Sequence, residues 1–238
     1  MIKVWDNYRV PGRVRLMYYL IAINVLALMA TMDDPGLLRA GGVVPFEWFS
    51  GQAIHAHRAP ILITVIWSMF LHGGWSHVFW NMLFLLIFGR NVEAKLKAPR
   101  FFVFYISCGI AGFLAHVIAN HESTSLVVGA SGAISGLMGA YLVWFGDHML
   151  RIRLGWRGTR IREFEFPVWM AILMWLMPTL LNAFLPLPGS VSQVSYISHV
   201  GGFAWGFFLA KQPIKRKSIQ WDVKKGEGGS NRGPFVND

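Results

Sequence analysis

Six runs of apolar residues limit what this chain can fold into. They cover roughly residues 16–32, 75–89, 101–119, 131–145, 164–185 and 196–210. A hydrocarbon layer about 30 Å thick is crossed by about 20 apolar residues in a helix, which satisfies its own backbone hydrogen bonds. The pattern therefore predicts an all-α membrane protein, a bundle of six transmembrane helices.

Composition places the chain in the same class. Hydrophobic residues make up 54% of the 238 residues and charged residues only 14%, whereas soluble domains carry about 25% charged residues. The single cysteine, Cys108, lies in an apolar run, which rules out an internal disulfide and a cysteine-based metal site.

The connections divide the chain into three parts. Residues 1–15 form a cytoplasmic N-terminal segment, residues 16–211 the six-helix membrane domain, and residues 212–238 a cytoplasmic tail. The tail has nothing to bury and is predicted to be disordered.

The first connection, residues 33–60, is long and contains Phe46, Trp48 and Phe49. Aromatic rings suit the headgroup region, so part of this loop is expected to associate with the membrane. The apolar run at 61–71 is too short to cross and is expected to lie at the interface or to re-enter the membrane.

The basic residues predict the orientation. With a cytoplasmic N-terminus, the inner segments carry 20 of the 22 lysines and arginines, and the outer loops carry only Arg39 and Arg58. Such a bias predicts cytoplasmic N- and C-termini for a multi-pass protein of the cytoplasmic membrane. The net charge of +10 then faces anionic lipid rather than nucleic acid. No targeting extension precedes the first run, so a bacterial membrane is expected.

The central stretch, which begins Gly129-Ala-Ser131-Gly132, has two interpretations. Small residues at helical spacing let two membrane helices pack closely. Alternatively, Ser131 is a nucleophile in tight surroundings that admit a substrate backbone, since a polar residue at membrane depth is expected to be functional.

Depth within the bilayer favours the nucleophile. At ~1.5 Å of rise per residue, Ser131 lies about 21 Å, His199 about 18 Å and His77 about 20 Å above the cytoplasmic ends of their helices. Asn81 follows His77 by four residues and so shares its helix face. These polar side chains are therefore predicted to lie in one layer of the bilayer. Packing residues scattered along the helices would have no reason to share the same depth.

The chemistry of these residues fits acyl transfer. Imidazole can take the proton of a serine hydroxyl. The Asn81 amide, a His77 N–H and the Ser131 backbone N–H can stabilise an oxyanion. The nearest carboxylates, Glu93 and Asp147, sit at the cytoplasmic ends, so a hydrolase here would use a Ser–His dyad.

Three motifs resemble those of the rhomboid intramembrane serine proteases, in matching order from about residue 60 to 210. They are H-x4-H-x3-N (His72, His77, Asn81), G-x-S-G (Gly129, Ser131, Gly132) and a histidine followed by two glycines (His199, Gly202, Gly206). The resemblance implies a six-helix core that cleaves transmembrane segments of other membrane proteins near their outer ends.

The resemblance also implies the residue roles. Ser131 would be the nucleophile and His199 the general base. Asn81 and His77 would form the oxyanion site, and His72 would be structural. Neither a cofactor nor a metal is implied.

Three departures from the family pattern are present. Ser135 stands four residues after the nucleophile, where some members place an aromatic ring against the catalytic histidine. Ser198 precedes His199 where alanine is usual, and no Trp-Arg pair occurs in the first loop.

Alternatives remain open at this point. A rhomboid-fold protein that binds membrane helices without cleaving them is the main one, although it would need neither Ser131 nor His199. A transporter would be expected to show an internal repeat, which is absent. His55, His57, His116 and His121 lack the spacing of a metal site.

Aromatic residues of the fifth run leave two interpretations. Trp169, Trp175 and Phe184 form either a lateral gate, as the resemblance suggests, or a lipid-facing surface. The sequence predicts neither the natural substrate nor the oligomeric state.

Overall fold

A computed structural model describes residues 2–6, 13–54, 59–154, 162–185 and 195–213. Nine helices and three strands lie in these ranges. In chain order they are β1 (Ile2–Asp6), α1 (Leu16–Asp33), α2 (Pro35–Gly41), α3 (Pro45–Ser50), α4 (Ile61–Ser68), α5 (Trp75–Leu96), α6 (Ala98–Ala119), α7 (Ser131–Phe145), β2 (Met149–Leu154), β3 (Arg162–Pro167), α8 (Val168–Phe184) and α9 (Tyr196–Lys211).

The six long helices, α1 and α5 to α9, follow the six predicted runs. The predicted bounds of α7 match the structure, and the start of α1 does as well. Two of the described helices, α1 and α6, are both long and apolar enough to cross a membrane by length and composition, whereas α7 and α8 are apolar but shorter.

Helix α7 lies at the centre of the bundle. Every side chain from Gly132 to Tyr141 is buried, and α6 and α9 pack against it. A Cβ added at Gly202 or Gly206 of α9 would overlap the carbonyl oxygen of Gly132 or Gly136 in α7. Glycine is therefore required at these crossings, because only bare backbones can approach so closely.

Helix α5 extends beyond its predicted end at Gly89 and reaches Leu96. The extra turns are mostly buried and carry polar contacts to other helices. The Asn91 side-chain amide donates to the Tyr141 hydroxyl at 2.8 Å, and Glu93 is fully buried. The prediction ended at Gly89 because the charged residue Arg90 follows it.

Glu93 caps the start of α1. Its Oε1 accepts from the backbone N–H groups of Arg15 at 2.9 Å and Leu16 at 3.0 Å, and its Oε2 from that of Met17 at 2.8 Å. The first N–H groups of a helix have no partners within it and attract negative charge. The carboxylate therefore ties α1 to α5.

The first connection is largely ordered as short helices. Asp34 accepts from the Gly36 N–H at 2.8 Å at the start of α2, and Pro45 opens α3. A single bridge pairs Val43 with Val127, in the connection between α6 and α7. Phe49 is 61% exposed, as an interfacial ring would be.

A three-stranded antiparallel sheet corrects the purely helical prediction. Strand β2 pairs with β1 on one side and β3 on the other, and Arg151 contacts Glu165 at 2.7 Å. Polar and apolar residues alternate in Arg151–Leu154 and in Glu163–Phe166, a period that is typical of strands. Consequently the fifth long helix begins at Val168 rather than at Phe164.

Candidate active site

The site is built around the turn that leads into α7. Gly129 has φ +124°, a conformation that side chains rarely adopt. A Cβ added there would lie 2.8 Å from His77 Nε2 and 3.8 Å from Asn81 Nδ2. The side chains of His77 and Asn81 therefore face the backbone two residues before Ser131.

His77 and Asn81 are held by their own helix and by His72. Asn81 is 6% exposed, and its Nδ2 donates to the His77 carbonyl at 3.1 Å. The rings of His72 and His77 meet edge to face, with centroids 4.9 Å apart. His72 is buried and its Nδ1 lies 3.3 Å from the Phe70 carbonyl, which supports the structural role implied for it.

The contact between α7 and α9 brings the starts of these helices together. A Cβ at Gly132 would lie 2.9 Å from Ser198 Oγ, and one at Gly112 of α6 would lie 2.7 Å from the Ser198 carbonyl oxygen. Ser131 directly precedes Gly132, and His199 directly follows Ser198. The predicted nucleophile and base are thus each next in sequence to a residue at the contact between α7 and α9.

No hydrogen bond joins Ser131 to His199 in the part of the chain that the structure describes. In enzymes without a bound substrate such contacts are often long and shorten in the reactive complex. Ser135 makes a different contact, since its hydroxyl donates to the Ser131 carbonyl at 2.6 Å. The Ser135 side chain is buried, and its hydrogen bond lies within α7 rather than against the His199 ring.

Two aromatic rings lie against His199. Trp175 of α8 has its ring centroid 5.8 Å away at an interplanar angle of 33°. Tyr196 meets the imidazole nearly edge-on at 6.1 Å. Within the described residues, His199 Nδ1 is buried without a hydrogen-bond partner.

Comparison with known proteins connects this geometry to one family. The Rhomboid domain family matches residues 60–215. The chain is 32% identical to RHOMBOID-like protein 5 of Arabidopsis thaliana over 62% of this chain and 42% of that one. The chain belongs to the rhomboid family. This rhomboid is also 27% identical to the Rhomboid protease GluP of Bacillus subtilis, over 84% of this chain and 35% of GluP.

The family assignment confirms the predicted resemblance and the membrane class. RHOMBOID-like protein 1 of Arabidopsis thaliana is a further relative, 31% identical over 66% of this chain. The rhomboid chain spans only 35 to 42% of the length of these three relatives. The matched range contains α4 to α9 and every residue of the candidate site.

A serine–histidine contact outside the proposed dyad was not predicted from the sequence. Ser195 Oγ, at the start of α9, lies 2.6 Å from His116 Nδ1 of α6. The Asn120 amide lies 3.3 Å from the same nitrogen. The backbone carbonyl of Ser195 also accepts a hydrogen bond from the backbone N–H of His199 at 3.3 Å. Sequence spacing cannot reveal this contact, because its partners are 79 residues apart.

The other histidines considered as metal ligands do not converge in the described ranges. His121 lies 3.8 Å from Glu122 and edge-on to Phe49, whereas His55 and His57 lie outside the described residues. No group of three potential ligands occurs within the described ranges.

Proposed function

We propose that this rhomboid is an intramembrane serine endopeptidase. It cleaves transmembrane segments of other membrane proteins near their outer ends, with Ser131 as nucleophile and His199 as general base. The observation that carries the proposal is the glycine-dependent crossing of α7 and α9, which has Ser131 and His199 beside it. The position of His77 and Asn81 against Gly129 supports an oxyanion site on the same turn.

The proposed reaction has two stages. The Ser131 hydroxyl attacks the carbonyl carbon of the scissile peptide, and its proton passes to His199. The resulting oxyanion accepts hydrogen bonds from the Asn81 amide, a His77 ring N–H and the Ser131 backbone N–H. His199 then protonates the leaving amine, which releases one fragment and leaves the other as an ester on Ser131.

Water completes the reaction. His199 removes a proton from the water as it attacks the ester, and Ser131 regains its proton when the second fragment leaves. His199 acts without a carboxylate partner. The closed cycle consumes one water molecule and requires neither a cofactor nor a metal ion.

The proposal includes the membrane arrangement. All six long helices cross the bilayer, the first connection associates with its outer surface, and both termini are cytoplasmic. Substrate helices and lipids are the partners. The shortness of α7 and α9 supports this arrangement, because their polar starts then lie in a depression open to water from outside.

A catalytically silent helix-binding protein is the second candidate. The absence of a Ser131–His199 hydrogen bond in the described structure is compatible with this candidate as well as with an enzyme free of substrate. Purified protein in liposomes with a reporter transmembrane substrate separates the two functions. Cleavage is expected from the native chain, and it should be lost in Ser131→Ala and His199→Ala while both variants keep their melting temperatures. Binding without cleavage by the native chain would establish the silent function, and full cleavage by Ser131→Ala would refute the assigned nucleophile.

A further inference from the structure

The second ring nitrogen of the proposed base, His199 Nδ1, forms no hydrogen bond with the part of the chain that the structure describes. In Ser-His-Asp sites a carboxylate bonded to the second ring nitrogen holds the imidazole in its working orientation. Here the buried Nδ1 has no hydrogen-bond partner among the described residues. Packing must therefore help to orient the ring, since Nδ1 has no hydrogen bond within the described ranges.

The two neighbouring rings are not equivalent. Tyr196 precedes His199 by three residues on the same helix, so it moves with α9. Trp175 comes from α8 and contacts both His199, at 5.8 Å, and Phe203, one turn further along α9, at 6.4 Å. Offset or tilted aromatic pairs attract beyond simple burial. Among the ring contacts of the described residues, only that of Trp175 relates the imidazole to another helix.

We infer that Trp175 is a positioning residue for His199, holding the imidazole toward Ser131. The inference rests on the proposed function, in which His199 is the base. Trp175 takes no part in proton transfer and acts only through the orientation of the ring. Ser135 cannot serve in its place because its short side chain bonds to the Ser131 carbonyl.

Helix α8 is only loosely packed against the bundle. The position of Trp175 therefore depends on the position of the whole helix. Only Val168, Ile172 and Thr179 of its 17 residues are buried, and Pro178 interrupts its hydrogen bonds. A cavity of about 140 Å³ lies between α7 and α8, lined by Leu142, Trp169, Ile172, Leu173 and Leu176. A displacement of α8 would therefore withdraw Trp175 from His199, which couples the position of this helix to the base.

The test uses a small fluorophosphonate as well as the reporter substrate. Ser131 Oγ forms a bond to phosphorus and expels fluoride, and the hydroxyl proton passes to His199, so labelling reports the dyad without entry of a substrate helix. Trp175→Ala should slow labelling roughly 10- to 100-fold, as expected for a misplaced catalytic group. The kcat for the reporter should fall in parallel, with little change in KM.

Matched variants separate positioning from packing. Trp175→Phe retains a ring and should recover most of the labelling rate, whereas Trp175→Leu retains only apolar bulk and should not. If Trp175→Ala does not fold, the comparison of Phe with Leu decides. Met174→Ala, which neighbours Trp175 on the same helix, should label at the native rate because Met174 is 68% exposed and its loss leaves the packing of α8 unchanged.

Different results would refute different claims. Native labelling by Trp175→Ala, with or without faster cleavage of the reporter, would overturn the positioning role and favour a gate. Equal labelling by the Phe and Leu variants would also overturn it. If the native chain neither cleaves the reporter nor is labelled, that result refutes the proposed function itself, whatever the role of Trp175. In Trp175→Ala/His199→Ala the two effects should not add, since both act through one imidazole.

Discussion

At the scale of single residues, the site depends on polar side chains that most membrane interiors exclude. His77 and Asn81 can approach the backbone just before Ser131 because Gly129 has no side chain there, and the His72 ring lies against that of His77. Asn81 can be interpreted as a catalytic donor or as a residue that joins helices. The two roles predict different kinetics.

Replacing Asn81 with alanine should lower kcat by roughly 10²-fold, because one oxyanion donor is lost while the other two remain. KM should hardly change, since the interaction forms mainly in the transition state. Turnover and melting temperature measured on one preparation check this prediction.

Asn91→Ala is the matched control for Asn81→Ala. Asn91 lies on the same helix and donates to Tyr141 away from the site. Its loss should cost about 1–3 kcal/mol of stability and leave kcat per folded molecule unchanged. An Asn81 variant that shows this stability pattern, with normal kcat, would make Asn81 a packing residue.

At the scale of helices, glycine determines how α7 and α9 meet. Gly206 lies two turns beyond His199, so a substitution there tests the crossing without touching the dyad. The same residues that predicted close packing also lie next to the proposed nucleophile and close to the proposed base in sequence. Packing and catalysis are therefore complementary interpretations of this motif rather than rivals.

Gly206→Ala should destabilise the protein by roughly 1–3 kcal/mol, because the new Cβ forces the helices apart and overpacking is costly. Alanine favours helix, so without the contact this change would be stabilising. Thermal unfolding in detergent distinguishes a loss of stability from a gain. Gly73→Ala, where a Cβ meets nothing within 4 Å, should be nearly neutral.

The cap of α1 gives a second prediction at this scale. Glu93→Gln preserves the shape of the side chain but removes its negative charge. It also places a side-chain N–H donor against a backbone N–H donor at the start of α1. A loss of about 1–3 kcal/mol is expected, as for hydrogen bonds to a charged group. Glu165→Gln, at a partly exposed ion pair with Arg151, should cost less than about 1 kcal/mol. Equal effects in thermal unfolding would contradict the capping role.

At the scale of the whole molecule, the distribution of charge should determine orientation. The predicted arrangement puts the connection between α6 and α7 outside and the C-terminal tail inside. Cysteines introduced singly at Thr124 and Lys217, with Cys108 replaced by alanine, test this in intact cells. A membrane-impermeant maleimide should modify the first and spare the second, and the reverse pattern would refute the orientation.

Local features of the sequence were sufficient for much of the fold. Apolar runs predicted the six long helices, and the bounds of α7 were correct, because hydrophobic length and glycine placement act within one segment. The three motifs also identified the family. Ser131 and His199 as a dyad remain a prediction from these motifs, supported by the approach of their helices.

Other features depended on contacts between distant residues. Strand β1 exists because residues 2–6 pair with residues 150–154, and Glu93 is buried because the start of α1 reaches its carboxylate. Trp175 lies against His199 only because α8 packs beside α9. The stabilising free energy of each of these contacts arises only when two remote segments meet. Neither segment alone carries a sequence signal for the contact. The tertiary structure therefore decided what holds the proposed base.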